Sequence, residues 1–136
     1  MSRSPHVAVL TGGMSLEREV SLRSGTRIAT ALAERGTSVD RIDVDRDLIG
    51  RLEDGRFDLA VLALHGAAGE DGTVQSVLDL VGLPFSGSDA LASALAWNKP
   101  IAQGVYAAAG LRVPDRIVLS QLAFRELGAS AVVDRV

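Results

Sequence analysis

The chain has 136 residues, 47% of them hydrophobic, and a formal charge of −3 at pH 7. That is enough apolar material for a buried core, and an acidic balance with no basic run excludes the electrostatic footprint of a nucleic-acid binder. Cysteine is absent, so disulfides, Cys-ligated zinc and thiol nucleophiles are excluded together, in keeping with a reducing compartment.

The first apolar run, His6 to Leu10 (HVAVL), is β-branched and stops at Thr11-Gly12-Gly13. It predicts a buried parallel strand that ends in a loop. It is also too short for a signal peptide or a membrane span, which predicts a cytoplasmic protein with no membrane partner. Val20, Leu22, Ile28, Ala31 and Leu32 then recur at helical spacing, with Ser15 able to cap the helix and Gly36 to close it. Ser38 to Val44 alternates and predicts a strand nearer an edge, followed by a short helix over Asp47 to Glu53. Leu59 to Leu64 (LAVLAL) is the most uniformly apolar run. It predicts a central strand that delivers His65 at its carboxyl end.

Thr73 to Val81 fits a helix with Val74, Val77, Leu78 and Val81 inward, stopped by Gly82-Leu83-Pro84. A short strand at Phe85-Ser86 and an alanine-rich helix over Ser88 to Trp97 follow. Asn98 then suits an N-cap and Pro100 a first turn, so a further helix is expected over Ile101 to Ala109, ending at Gly110. Arg116 to Leu119 reads as one more strand, and Phe124 to Val136 has helical composition. Strand and helix units in this order predict an open, mostly parallel α/β sheet of Rossmann-like, three-layer form with right-handed crossovers. Ligands bind such sheets beyond the carboxyl ends of the strands. If the first and third strands are neighbours, the loops at 12–19 and 65–72 meet in one crevice.

The first loop, GGMSLEREVS, lacks both the GxGxxG of dinucleotide binding and the GK[ST] of a P-loop. Glu17 and Glu19 there read equally well as a ligand carboxylate or as acidic complements of the helix dipole. The second loop, HGAAGEDG, sets three glycines, a histidine, a glutamate and an aspartate within eight residues after a buried strand. His65 could donate to a carboxylate or carbonyl, and a carboxylate could steer it or receive an ammonium; its plainer reading is a satisfied histidine at a strand end. Asp71, in Asp-Gly before a helix, reads mainly as turn and cap chemistry. His6 and Trp97 read as structural. Lys99 is the only lysine. At a helix amino terminus a cation is disfavoured unless an anion is near; a bound phosphate would resolve the conflict, and a solvated lysine is the plainer alternative.

Three colinear stretches, VAVLTGGMSLEREVSLRSG, LALHGAAGEDGTVQSVLDLVGLPFSGS and ALAWNKPIAQGVYAAAGLRVP, resemble the amino-terminal part of the D-alanine-D-alanine ligases. The match runs through Pro114 at least, and the paired GGxSxEREVSLxSG and HGxxGEDGTxQ patterns carry it. That family joins two D-alanines with ATP through an acyl phosphate of the first, in the synthesis of peptidoglycan precursors.

The resemblance implies a pre-ATP-grasp, substrate-binding domain over residues 1–97, with the start of the ATP-grasp region over 98–136. Glu17 would bind the ammonium of the first D-alanine, and His65 would lie beside its carboxylate or acyl phosphate. Glu70 would orient the site, Ser21 would support the first loop, and Lys99 would contact an ATP phosphate. Asn98 and Phe85-Ser86 depart from the family's usual aspartate and tyrosine-threonine. The rest of the ATP-grasp domain, which carries the magnesium ligands, would follow Val136. The expectation is therefore that ATP and Mg²⁺ serve the full-length enzyme and bind this chain weakly, that it holds no metal itself, and that it pairs as a homodimer. A non-catalytic binding or dimerisation module derived from the fold, or part of a D-alanine-D-lactate or D-serine ligase, are the alternatives.

Overall fold

The computed structural model describes residues 4–128, and the chain divides after Lys99 into two compact units. In the first unit the chain runs β1 (His6–Thr11), α1 (Arg18–Ala33), β2 (Ser38–Asp43), α2 (Leu48–Gly55), β3 (Leu59–Leu62), α3 (Thr73–Leu80) and α4 (Ala90–Trp97). The three strands form a parallel sheet in the order β2-β1-β3, with Val7 opposite both Val39 and Leu59.

The centre of this sheet belongs to β1, not to β3 as the apolar run 59–64 suggests. Beyond β3 lies a single parallel bridge from Ala60 to Phe85, which is all that forms of the strand expected at Phe85-Ser86. The uniform hydrophobicity of 59–64 has another cause. Ala63 and Leu64 are buried beyond the strand's end, and the Ala63 N–H still donates to the Leu10 carbonyl.

Because β1 is covered on both faces, its alternate residues serve two different cores. Val7 and Val9 pack with Ala63 against Ile28, Ala29 and Leu32 of α1. Ala8 and Leu10 face the opposite way, onto Leu48 and Leu52 of α2 and Val74 and Leu78 of α3. The result is three layers, with α1 on one face and α2 and α3 on the other. Among the buried positions of α3 is Gln75, inside the stripe where only aliphatic residues are expected. Its side chain donates to the Gly69 carbonyl.

One cap expectation and one helix start change. Ser15 does not cap α1; the N-cap position is Glu17, and the Ser15 hydroxyl is turned toward the second loop. The alanine-rich helix α4 begins at Ala90 and is capped by Asp89, whose carboxylate accepts from the Ala92 N–H. Asn98 closes α4 through its own N–H to the Ala94 carbonyl and stands directly before Lys99, where the next helix begins.

The second unit, from Pro100, holds α6 (Gln121–Leu127) and all but the first residue of α5 (Lys99–Ala108), which starts at Lys99 rather than Ile101. No strand forms over Arg116 to Leu119: among the described residues they pair with no neighbouring strand, and Ile117, Val118 and Leu119 are exposed. A four-residue apolar run becomes a strand only where a partner edge is offered. The helix expected over Phe124 to Val136 is seen as the end of α6, and residues 129–136 lie outside the described ones.

One glycine sets the spacing between α1 and the sheet. A Cβ on Gly25 would lie 1.9 Å from Cγ2 of Thr11, whose β-branched side chain is buried at the end of β1. Gly25→Ala is expected to destabilise the fold by about 1–3 kcal/mol through overpacking, read as a lower urea midpoint. Gly50→Ala in α2, where nothing lies within 4 Å of the new Cβ, is expected to stabilise by about 0.5–1 kcal/mol through helix propensity.

Candidate functional site

Parallel pairing of β1 with β3 brings the two glycine-bearing loops together at the carboxyl ends of the strands, where an α/β sheet offers its ligand crevice. The junction is hydrogen-bonded. The Ser15 hydroxyl donates to the His65 carbonyl at 2.7 Å and accepts from the Glu17 N–H at 3.1 Å. Beneath it, Ser21 is fully buried; its hydroxyl accepts from the Gly12 N–H at 2.8 Å and donates to the Ala63 carbonyl at 2.7 Å. A helix residue thus joins the end of β1 to the end of the third strand segment.

Glu17 is exposed, with its carboxylate over the second loop: a Cβ on Gly66 would lie 2.8 Å from Glu17 Oε2. Gly66 also has φ +75°, so this position needs glycine for its backbone and for the room it leaves the carboxylate. The His65 ring is about one-third exposed. Its Nε2 lies 3.1 Å from the Ser24 hydroxyl, and its Nδ1 lies 3.8 Å from Oε1 of the half-exposed Glu70.

Sequence reasoning did not find Ser24, although it sits seven residues after Glu17 and three after Ser21. That spacing places all three on one helix face. Lys99 is exposed at the first position of α5.

The second loop is held rigid by its own residues. The Gly69 and Glu70 N–H groups both donate to the Gly66 carbonyl. Asp71 accepts from the Ala68 N–H and the Thr73 N–H, each at 3.0 Å. These bonds hold Ala68 at φ +67°, a left-handed conformation that costs a non-glycine residue about 1–2 kcal/mol. Burial opposes ionisation of Asp71, but hydrogen bonds from Thr73 and from the backbone outweigh it and hold its carboxyl below the usual range.

The first loop is pinned from β2 by a pair that nothing in the sequence announces. Arg18 donates through both terminal nitrogens to the carboxylate of Asp43, and through Nη1 to the Gly13 carbonyl at 3.1 Å. Asp43 in turn accepts from the Gly13 N–H at 3.2 Å. The Arg18 hydrogen bond is the main reason the Asp43 carboxyl titrates below its ordinary value.

The crevice divides into small cavities. One of about 270 Å³ is lined by Gly12, Gly13, Ser15, Leu64, His65 and Asp45, among others. Glu17 lines a neighbouring cleft with Ser15, Gly66 and Ala67, and Glu70 lines a third with Gln75, Ser86 and Ser93. The structure therefore gathers Glu17, His65, Ser21 and Glu70 around two loops, with each ligand-type side chain opening onto its own recess. Among the described residues no group of three or more histidines and carboxylates is placed to hold a metal ion, and no helix is long and apolar enough to cross a membrane.

Two outcomes follow. Ser21→Ala strips partners from a buried N–H and a buried carbonyl, and is expected to cost about 1–3 kcal/mol for the groups left unpaired, measurable by denaturant unfolding. For the acid limb, the folded-state carboxyls of Asp43 and Asp71 titrate below their unfolded values. Their stabilisation is thus complete above the ordinary carboxyl value of about 3.9 and is lost as pH falls through the folded one. The stability gap between wild type and Asp43→Asn should be constant near neutrality and close below about pH 4.

Comparison with known proteins bears on the whole of this arrangement. The family model described as "D-ala D-ala ligase N-terminus" matches residues 48–88. The D-alanine-D-alanine ligase of Afipia carboxidovorans is 49% identical over 121 residues, which is 89% of this chain and 39% of that protein. That of Azorhizobium caulinodans is 55% identical over 109 residues, 80% of this chain and 36% of its own length. Among solved structures, the Bacillus anthracis D-alanine-D-alanine ligase complexed with ATP superposes with a TM-score of 0.82 at 33% identity, over 98% of this chain and 43% of that one. The Aeromonas hydrophila ligase gives 0.79 at 30%, over 97% of this chain and 59% of that one. The chain thus spans about two fifths of the length of the curated relatives it matches. Over that span it belongs to the D-alanine-D-alanine ligase family and corresponds to its amino-terminal part.

Proposed function

We propose that this chain supplies the first-substrate half of an ATP-dependent ligase that joins two D-alanines for peptidoglycan precursors in the cytoplasm. The observation that carries the reading is the hydrogen-bonded junction of the two loops, Ser15 Oγ to the His65 carbonyl, with the Glu17 carboxylate over Gly66. A free amino acid presents an ammonium and a carboxylate a few ångströms apart. An exposed carboxylate over Gly66, the residue that follows His65, suits that pair.

In this reading Glu17 receives the ammonium of the first D-alanine, and His65 donates to its carboxylate or acyl phosphate. Glu70 steers the ring, and Ser21 holds the first loop in place. Residues 1–97 are the substrate-binding domain and 98–136 begin the ATP-grasp region. Homodimerisation belongs to the same reading.

For ATP, Lys99 offers one exposed ammonium at the start of a ten-residue helix, which fits a single phosphate contact. The described residues offer no cage for Mg²⁺. They therefore bind and orient the amino acid, and the phosphoryl step is assigned to none of them.

Two measurements test this. Grafted in place of the matching segment of the Afipia carboxidovorans ligase, the chain should support ATP-dependent D-alanyl-D-alanine formation, and Glu17→Gln should lower kcat/KM by roughly 100-fold, the loss expected of one charged hydrogen bond. A graft that folds yet is inactive would favour a non-catalytic module. The isolated chain should hold D-alanine more weakly than about 1 mM, since few contacts must offset the cost of association. It should release no phosphate from ATP.

A further inference from the structure

The cavity that opens beside His65 is bordered by a third loop, between β2 and α2, which contributes Val44, Asp45 and Arg46. The ionisable side chains on its wall differ in how far they are already paired. The Asp45 carboxylate accepts from Arg51 and from the Asp47 N–H. Both nitrogens of the His65 ring face a neighbour, Ser24 at 3.1 Å and Glu70 at 3.8 Å. Arg46 is exposed and forms no ion pair with another of the described residues. With Asp45 neutralised by Arg51, the charge left uncompensated on this wall is the guanidinium of Arg46. Asp47, its other neighbour in the chain, is not part of the wall.

Much of the remaining wall is aliphatic, from Met14, Val44, Leu64, Ala67 and Ala68. A charged contact beside such a wall is screened less than one in open water. A guanidinium at the edge of an aliphatic recess of about 270 Å³ matches a small carboxylate that carries a short alkyl group. This cavity and the cleft that holds Glu17 share Met14, Ser15 and Ala67, so the two recesses are neighbours across one partition. A ligand whose ammonium lies on the Glu17 side presents its carboxylate to the side that carries Arg46. A carboxylate has about four lone-pair positions and a neutral imidazole has one N–H, so His65 alone leaves most of them unmet. The guanidinium fork of an arginine supplies the missing donors.

We propose that Arg46 is a binding residue, which receives a short-chain carboxylate whose alkyl group lies against the aliphatic wall of the His65 cavity. Glu17 and Arg46 then hold opposite ends of one amino acid across the partition of Met14, Ser15 and Ala67. That the carboxylate belongs to D-alanine rests on the function proposed above; the carboxylate seat at Arg46 does not.

Three small ligands separate the two ends. D-alanine carries both groups, D-alaninamide keeps the ammonium and methyl without the carboxylate, and propionate keeps the carboxylate and alkyl group without the ammonium. Each is titrated into the ¹⁵N-labelled chain, with dissociation constants read from the amide signals of Ala67 and Ala68. Arg46→Gln should weaken D-alanine and propionate by about 5-fold, the upper end for a solvent-exposed ion pair, and leave D-alaninamide unchanged. Arg46→Lys, which keeps the charge without the fork, should lose less. Glu17→Gln should weaken D-alanine and D-alaninamide and spare propionate. The proposal is overturned if the folded wild type binds neither carboxylate, if Arg46→Gln leaves both at wild-type affinity, or if it weakens D-alaninamide equally. Propionate binding that depends on Arg46, with D-alanine held no more tightly and insensitive to Glu17→Gln, keeps the seat at Arg46 and counts against the first-substrate reading.

Discussion

The buried hydroxyl of Ser21 is the contact on which the site's geometry depends. It satisfies the Gly12 N–H on one strand exit and the Ala63 carbonyl on another, from a helix packed across both. Chain turning out of a sheet loses its ladder partners, and a buried amide or carbonyl without a partner is costly. A single side chain meets both needs here, which requires α1 to lie close to the strand ends. The near contact of Gly25 with Thr11 shows how close that is.

From that fixed point outward the two loops are braced rather than free. Asp71 and the backbone turn at Gly66 hold the second loop strongly enough to keep Ala68 in a left-handed conformation. Arg18 and Asp43 pin Gly13 from the far side of β1. These polar bonds are partly exposed, and their free-energy contribution is modest. Their effect is on position: they leave the carboxylate of Glu17 and the ring of His65 facing outward from backbones that cannot easily shift. Preorganisation of this kind is what a ligand site needs from its scaffold.

Ligand-type residues gather at one end of the sheet, and among the described residues no metal cage lies beside them. Relatives are more than twice as long as the matched region, and the cleft containing Glu17 and the cavity containing His65 are open recesses along one edge. A surface presented this way is consistent with the amino-acid binding proposed above, in which the two loops carry the ligand contacts.

Much of this was legible in the chain itself. The apolar run at 6–10 and the glycines after it specify a buried strand and its exit, and HGAAGEDG after another apolar run specifies a loop too rich in chemistry for a mere turn. The motif pattern also placed the family. Those signals are local, set by side-chain periodicity and backbone freedom, so the sequence alone determined most of the elements, the α/β class and the candidate residues of the two loops. Tertiary structure decided what depends on distant partners. It made β1 the central strand, left 116–119 unpaired, turned Ser15 from a helix cap into a bridge, and joined Arg18 to Asp43 across 25 residues. It also brought Ser24 to the His65 ring, 41 residues away. Pairing energies of this kind exist only once the chain has closed on itself, and no periodicity in the sequence encodes which hydroxyl will meet which ring.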